Sequence, residues 1–423
     1  MKTVLIAGAG AAGLMAAKML SSKGFSVVVL EAATVIGGRI CTLYDPAFSQ
    51  PLEAGAEFVH GKLPVTLQLL EEAGIEYEPV VRKMVSIVNG RWHQQDALME
   101  GWDELMQRLQ SVQQDITVAA FLEQYFSQEQ YAALRKAVKR FAEGYDLADI
   151  HKASVLALRE EWMNDEEEQY HLPGGYGQLI RYLEQQCIAQ GCTIYTSHVV
   201  KNVEWKHNSV HVTCANGSRF SGNKLILTVS PGVLNTEEKE LGHIHFSPAI
   251  PQYLQAMLQL GFGAVIKLQL LFREAFWLHK FNNAVFFLSN ESIPTWWTQA
   301  DHEYPLLTGW LGGPVVNNYT QQDEAQLLND AVHSLAGIFN MTVDDVRGAL
   351  LQTRIFNWCH EPFVRGAYSY ATLNMQKAVQ QLTTPLEHTV YFAGEAMYLG
   401  AHPGTVEAAL VTGQQVAASI TNS

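Results

Sequence analysis

The first thirty-nine residues constrain this chain more than any other stretch. An apolar run at 3–7 ends in Gly8, Gly10 and Gly13; a second apolar run at 26–30 ends at Glu31, and Gly37-Gly38-Arg39 follows. That order predicts a buried strand, a glycine turn, a helix opening near Ala11 and a second parallel strand, the first half of a dinucleotide clamp. Gly8 allows the tight turn, Gly10 lets backbone approach a pyrophosphate, and Gly13 lets the helix pack closely on the strand. The helix N-terminus at Ala12 then faces the phosphates. Glu31 falls eighteen residues after Gly13, with Ala32 beside it, where a carboxylate accepts hydrogen bonds from ribose hydroxyls and repels a phosphorylated ribose. The competing reading is a glycine-rich turn in an ordinary βαβ unit.

With 423 residues the chain has room for two or three compact units, taking ~150 residues per domain. An apolar fraction of 48% against 17% charged residues describes a globular protein with deep burial. The net charge of −14 argues against nucleic acid and anionic membrane surfaces as partners and mildly favours cationic ligands. The five cysteines, Cys41, Cys187, Cys192, Cys214 and Cys359, are scattered and form no CxxC pair. Neither a disulfide framework nor a metal site is therefore expected, and reduced thiols in a cytoplasmic setting fit best. The apolar N-terminus carries no small-residue cleavage site before the second strand, and no run reaches the ~18 apolar residues of a membrane span.

Along the chain, 63–159 reads mostly as helices, with apolar residues at three- and four-residue spacing over 121–144. Short strands at 78–92 turn at Asn89-Gly90, and an acidic run occupies 165–168. Pro173-Gly174-Gly175-Tyr176-Gly177 opens a helix to Gln190, and strands follow near 193–195, 199–205, 210–215 and 224–229. From Pro248 the pattern departs again: a long strand over Val265–Phe272, aromatic strands around Phe286 and Trp310, and a helix over Glu324–Phe339. Strand, glycine-rich loop and helix return at 390–418. The expected fold class is α/β: a Rossmann-like domain in three pieces (1–62, 170–247 and 366–423) with an inserted mixed α+β domain (63–169 and 248–365).

Two further stretches complete the pattern. Val390-Tyr391-Phe392-Ala393 leads into Gly394-Glu395, and His402-Pro403-Gly404-Thr405-Val406-Glu407-Ala408-Ala409 starts a helix. With GGR at 37–39, LEAGAEFVHG at 52–61, Lys267 in its apolar strand and Trp358 before Gly366-Ala367-Tyr368-Ser369-Tyr370, the chain resembles the flavin-containing amine oxidase family. It is most similar there to polyamine oxidases and lysine-specific histone demethylases, and the resemblance covers both ends and most of the middle, in order.

The resemblance implies the two-domain amine oxidase architecture, an FAD-binding domain with an inserted substrate-binding domain. It places Glu31 on the adenosine ribose, Arg39 near the pyrophosphate, Glu395 on the ribityl or diphosphate region, and the Val200 backbone on adenine. Gly38, Gly55, Ala56, Glu57, Trp358, Gly394, Gly404, Thr405 and Val406 complete the implied cofactor contacts. A helix N-terminus at 404–406 would set its positive dipole end where reduced flavin gathers negative charge. Monoamine oxidases attach their flavin through a Cys just before the cage Tyr; Ala367 stands there, so the FAD is expected to be non-covalent.

For chemistry the resemblance singles out Lys267, Tyr368, Trp358, Thr405 and His60. The counterpart of Lys267 holds a water at flavin N5; Tyr368 flanks the substrate amine; Trp358 packs beside the ring system. Thr405 replaces the second Tyr of the cage, which opens one side to longer or secondary amines. His60 could contact a distal substrate nitrogen, and Glu57 or the acids at 165–168 could read a second ammonium. Taken without the family, Lys267 reads as a snorkelling strand residue, Tyr368 and Trp358 as core aromatics, and His60 as a loop histidine. On strand alternation Lys267 shares a face with Val265 and Gln269, and its burial would favour the neutral amine.

The expected function is FAD-dependent oxidation of a primary or secondary amine, polyamine-like favoured. The α-hydrogen leaves as a hydride equivalent to flavin N5, the iminium is hydrolysed to an aldehyde, and O₂ reoxidises the flavin to give H₂O₂. The partners are then a small amine and O₂, with neither nucleic acid nor membrane, in a monomer or homodimer. The alternatives are an L-amino acid oxidase, another flavin oxidoreductase of the same fold, or a flavin-bound interaction protein without turnover. An amino acid oxidase would need an Arg in the segment after GGR, and 40–61 contains none.

Overall fold

The computed structural model describes residues 2–80, 83–88, 91–94, 101–163, 168–281, 284–299, 303–319 and 323–422. The Asn89-Gly90 turn and residues 165–167 of the acidic run lie outside the described residues. The first strand, Thr3–Ala7, sits at the centre of a five-stranded parallel sheet. Ser26–Leu30 and then Thr193–Tyr195 lie on one side of it; Lys224–Leu227 and then Val390–Phe392 lie on the other. Residues nearly 400 apart thus share one sheet. Apart from the exposed edge strand Thr193–Tyr195, the strands are short, mostly apolar runs that are largely buried, the signature of a parallel sheet covered by helices.

Helices Ala11–Ser22, Gly177–Ala189 and Val406–Thr421 cover one face and share a core with Pro64–Ala73. Glu407 ties this last helix down. Its buried carboxylate accepts N–H bonds from Val65 (3.0 Å) and Thr66 (2.7 Å) at the helix start and the Thr66 hydroxyl at 2.7 Å. A negative charge at that end also complements the helix dipole. On the other face a four-stranded sheet built on Ser209–Cys214 and Val200–Lys206 shares a core with Pro251–Met257. Helices 64–73 and 251–257 therefore pack with the parallel-sheet cores.

A seven-stranded, mostly antiparallel sheet forms the second body, in the order Leu350–Asn357, Val265–Phe272, Leu306–Gly312, Thr295–Thr298, Phe286–Ser289, Met84–Val88, Arg91–Gln94. Every residue of Val265–Phe272 is buried, and the strand separates two environments. Ile266, Leu268, Leu270 and Phe272 join a core shared with the helix Glu324–Phe339. Val265 belongs to a different cluster, with Ala54 and Trp358. The helical segment divides more finely than its spacing predicts: Val118–Phe126 ends at Ser127, and a fresh helix runs Ala132–Gly144. No helix among the described residues is long and apolar enough to cross a membrane.

Candidate active site

The two bodies enclose a cavity of about 1400 Å³ that runs from the first glycine turn to an aromatic chamber beside Lys267. Of the cofactor and catalytic residues singled out in the sequence, all but Gly13 line it; Glu168 of the acidic run does not. Gly13 faces inward: a Cβ there would lie 2.1 Å from the Gly8 carbonyl oxygen, so only glycine permits this approach of helix to turn. Gly10 is the opposite case. A Cβ on it would meet only the Gly37 carbonyl, at 3.9 Å, so the backbone here leaves open space on the cavity side.

This end of the cavity fits an elongated anionic ligand. Gly10 caps the helix Ala11–Ser22 with no side-chain hydrogen bond, so the helix entrance is left as bare backbone, the arrangement that receives phosphates. Glu31 lines the cavity with its oxygens accepting the Ala9 N–H (2.7 Å) and the Ala33 N–H (2.8 Å). Burial raises its carboxyl above the usual range, against those backbone bonds. Each carboxylate oxygen has a second lone pair for a ligand hydroxyl. Val200 is buried on the far wall.

Further along, Arg39 donates through Nη1 to Glu395 Oε1 at 2.7 Å and to the Ala367 carbonyl at 2.5 Å. The other Glu395 oxygen accepts the Ser369 hydroxyl at 2.6 Å. Arg39 and Glu395, expected as independent ligand contacts, thus form one joint between the first clamp half, the 367–369 segment and the last. The helix Val406–Thr421 starts at the cavity wall behind Gly404, which has a φ of +70°. Thr405 caps it: its hydroxyl accepts the Ala408 N–H and donates to the His402 carbonyl at 2.8 Å. The position that the resemblance sets opposite Tyr368 carries a small capping residue, and it lines the cavity.

At the chamber, Lys267 Nζ donates to Glu57 Oε2 at 2.6 Å and to the Gly55 carbonyl at 3.1 Å. Glu57 Oε1 accepts the Trp297 indole N–H at 2.9 Å, and Lys267 Nζ lies 5.6 Å from the centroid of that indole. The amine whose burial is expected to favour its neutral form is buried, and it lies against a carboxylate that sequence reasoning does not pair with it. Glu57, considered as a reader of a second substrate ammonium, lines the cavity and accepts one bond at each oxygen from these partners. Trp358 donates its indole N–H to the Ala54 carbonyl at 2.8 Å, which fixes it on the chamber wall.

Tyr368 donates its hydroxyl to the Tyr145 carbonyl, and its ring stacks at 6.5 Å and 24° on Trp310. Burial and nearby acids, Asp146 first, raise its phenol well above the usual value, so it remains protonated. His60 lines the cavity edge-on to Phe58 (6.1 Å) and Tyr145 (6.5 Å). Glu168, the described member of the acidic run, is exposed, 3.5 Å from Lys62 Nζ and bonded to the Tyr170 hydroxyl.

Sequence reasoning missed Trp297, Trp310 and Glu53. Trp310 pairs directly with Lys267 across neighbouring strands, and Thr295 pairs with Trp310, which brings Trp297 to the same wall. The aromatic strands were visible, but their register was not. Glu53, inside the LEAGAEFVHG run, lies 5% exposed beneath the chamber.

A family model described as flavin containing amine oxidoreductase matches residues 11–421. Lysine-specific histone demethylase 1 homolog 3 of Arabidopsis thaliana is 25% identical over 99% of this chain and 30% of its own length. Lysine-specific histone demethylase 1B of Mus musculus is 26% identical over 99% of this chain and 53% of its own. The chain thus spans about half or less of these two relatives. Polyamine oxidase 2 of Arabidopsis thaliana is 26% identical over 98% of this chain and 87% of its own. Among solved structures, cyclohexylamine oxidase from Brevibacterium oxydans IH-35A superposes with a TM-score of 0.82 at 20% identity, over 100% of this chain and 99% of that one. Wild-type putrescine oxidase bound to putrescine gives 0.81 at 19% identity with the same coverage. These two likenesses establish the shared fold.

Proposed function

The chain belongs to the flavin-containing amine oxidoreductase family, and on that footing we propose that it oxidises a C–N bond of a primary or secondary amine, with a polyamine-like substrate favoured. The observation that carries the reading is the junction of two environments in one cavity: a glycine-lined, helix-capped groove opens into an aromatic chamber that holds Lys267. The groove fits FAD, held without a covalent bond by the glycine turn, Glu31, the Val200 backbone and the entrance of helix 406–421. When bound, the flavin supplies the acceptor for a hydride equivalent from the amine α-carbon and passes electrons to O₂, giving H₂O₂.

The chain's own residues do the rest. Tyr368 and Trp310 form a stacked wall that orients a neutral amine and keeps water from it. The Tyr368 hydroxyl is committed to the Tyr145 carbonyl, so the ring rather than a phenolate meets the substrate. Lys267 presents Nζ from a fixed position anchored by Glu57 and the Gly55 carbonyl. Thr405 leaves its side of the cage open, which accommodates a secondary or elongated amine. His60 stands farther out and can meet a distal nitrogen. Within this reading, 1–62, 170–247 and 366–423 hold the cofactor and 63–169 and 248–365 hold the amine, with helices 64–73 and 251–257 buttressing the cofactor side.

Anaerobic stopped-flow absorbance tests the reading. The flavin-bound protein is mixed with spermine, spermidine, N-acetylated polyamines, putrescine, arylalkylamines, a methyl-lysine peptide and amino acids. Bleaching near 450 nm by a polyamine, reversed by air with release of H₂O₂, is the expected result. Bleaching confined to another class moves the substrate, and a flavin that no amine reduces overturns the activity.

A further inference from the structure

Three consecutive carbonyls, those of Glu53, Ala54 and Gly55, each accept a bond from a different buried side chain at the chamber. Gln269 Nε2 reaches the first at 3.2 Å, Trp358 Nε1 the second at 2.8 Å and Lys267 Nζ the third at 3.1 Å. The placement of Lys267 and Trp358 therefore depends on where this short ribbon of backbone sits. What holds the ribbon is the Glu53 side chain. Its Oε1 accepts the Tyr176 N–H at 2.5 Å, and the Thr42 hydroxyl lies 2.9 Å from both carboxylate oxygens. Thr42 Oγ1 in turn accepts the Gly177 N–H at 2.7 Å. The 174–177 loop is pressed against this joint: a Cβ on Gly175 would come within 2.9 Å of Glu53 Oε1 and 2.5 Å of Thr42 Cγ2.

We propose that Glu53 is a positioning residue for the chamber, its carboxyl group clamping the 53–55 ribbon to the start of helix Gly177–Ala189 and thereby setting the placement of Lys267 and Trp358. The proposal rests on the flavin-site reading but not on any particular amine.

The clamp is also sensitive to pH. Burial pushes the Glu53 carboxyl up to about 7, opposed by the Tyr176 N–H, the Lys267 charge and the Thr42 hydroxyl, and assisted by Glu57. The titratable groups facing it are Lys267 from strand 265–272, Glu57 from the following segment, Cys41 from the preceding hairpin and Tyr176 from the 174–177 loop. Opening the clamp hydrates the carboxyl and returns it to its ordinary range near 4.5. Opening therefore becomes easier as pH rises from there and levels off above about 7.

The test uses the flavin-bound protein, with Glu53→Gln as the main variant and Glu53→Asp as the conservative one. Two readouts are followed from pH 5.5 to 8.5: amide hydrogen exchange of peptides spanning 52–58 and 174–180, corrected for intrinsic rates, and O₂ reoxidation of photochemically reduced flavin. In the unmodified chain, exchange of both peptides rises at least ~10-fold across this range and flattens above pH 7, the size that a carboxyl displaced from 4.5 to about 7 produces. Reoxidation shows an inflection at the same pH. Glu53→Gln removes both dependences and Glu53→Asp keeps them. A flat profile in the unmodified chain, or an inflection that persists in Glu53→Gln, overturns the proposal. Neither readout needs an amine, so failure of the substrate reading and failure of the clamp are told apart.

Discussion

Lys267 Nζ stands 2.6 Å from Glu57 Oε2, with the two side chains 2% and 5% exposed, and they come from segments 210 residues apart in the sequence. Two opposite charges removed from water this completely depend on each other: deleting one leaves the other buried and unbalanced.

Glu57→Ala and Lys267→Met should therefore each destabilise the protein by about 3–5 kcal/mol, whereas a volume-matched apolar replacement of both should cost less than either alone. Urea unfolding midpoints at fixed flavin concentration give the comparison. A double variant that shows the simple sum of the two losses would mean that the pair is not coupled. Lys267→Met should also slow reoxidation by O₂ more than reduction by amine, since the reading places Lys267 at the flavin edge rather than on the substrate.

The two glycines of the turn separate folding from cofactor binding. A Cβ at Gly13 collides with backbone at 2.1 Å, so Gly13→Ala must move the helix Ala11–Ser22 off its strand and lower the Tm of the flavin-free protein. A Cβ at Gly10 meets nothing closer than 3.9 Å. Gly10→Ala should leave the flavin-free Tm within about 1 °C, a cost of under about 1 kcal/mol for a chain of this size. It should weaken FAD binding at least ~10-fold, about 1.4 kcal/mol. Thermal scans of the flavin-free protein and fluorescence titration with FAD check both halves.

These glycines show what a sequence discloses. Gly8, Gly10 and Gly13 are constrained by backbone geometry within one local βαβ unit, so their spacing suffices to place them. Lys267 was legible as a residue and its face as a consequence of strand alternation, but its partner was not. Glu57 reaches it only because the 53–57 ribbon crosses beneath a strand more than 200 residues later. Trp310 and Trp297 depended on antiparallel register, which turns beyond the reach of local pattern decide. Arg39 and Glu395 were each identified as facing a ligand, and their mutual bond follows from the meeting of the two clamp halves, which no local window contains.

Tyr368 joins two bodies through one hydroxyl. Its bond to the Tyr145 carbonyl holds the ring against Trp310, while the phenol itself takes no part in proton transfer because burial keeps it protonated. Tyr368→Phe keeps the ring but leaves that carbonyl without its donor, a loss of about 0.5–1.5 kcal/mol. The amine kcat/KM should then fall by roughly threefold to tenfold with no change in the shape of its pH profile. Stopped-flow reduction across pH checks both, and a shifted profile would show that the phenol does titrate in the cycle.

Overall stability should carry the mark of Glu53 as well. A carboxyl raised to about 7 in the folded chain and near 4.5 in the unfolded one keeps an extra proton in the folded state between those values. Its contribution is present below about pH 4.5, declines as pH rises and is gone above about 7. Glu31, raised in the same direction by its own burial, adds to the trend in the flavin-free protein. Removing the Glu53 proton site should flatten the curve: measured against the parent, Glu53→Gln gains relative stability from pH 5 to pH 8, by up to about 3 kcal/mol at ~1.4 kcal/mol per pKa unit. Urea midpoints of the two flavin-free proteins at pH 5, 6, 7 and 8 give the difference directly. Parallel curves would place the Glu53 carboxyl back in the ordinary range and remove the pH sensitivity of the clamp.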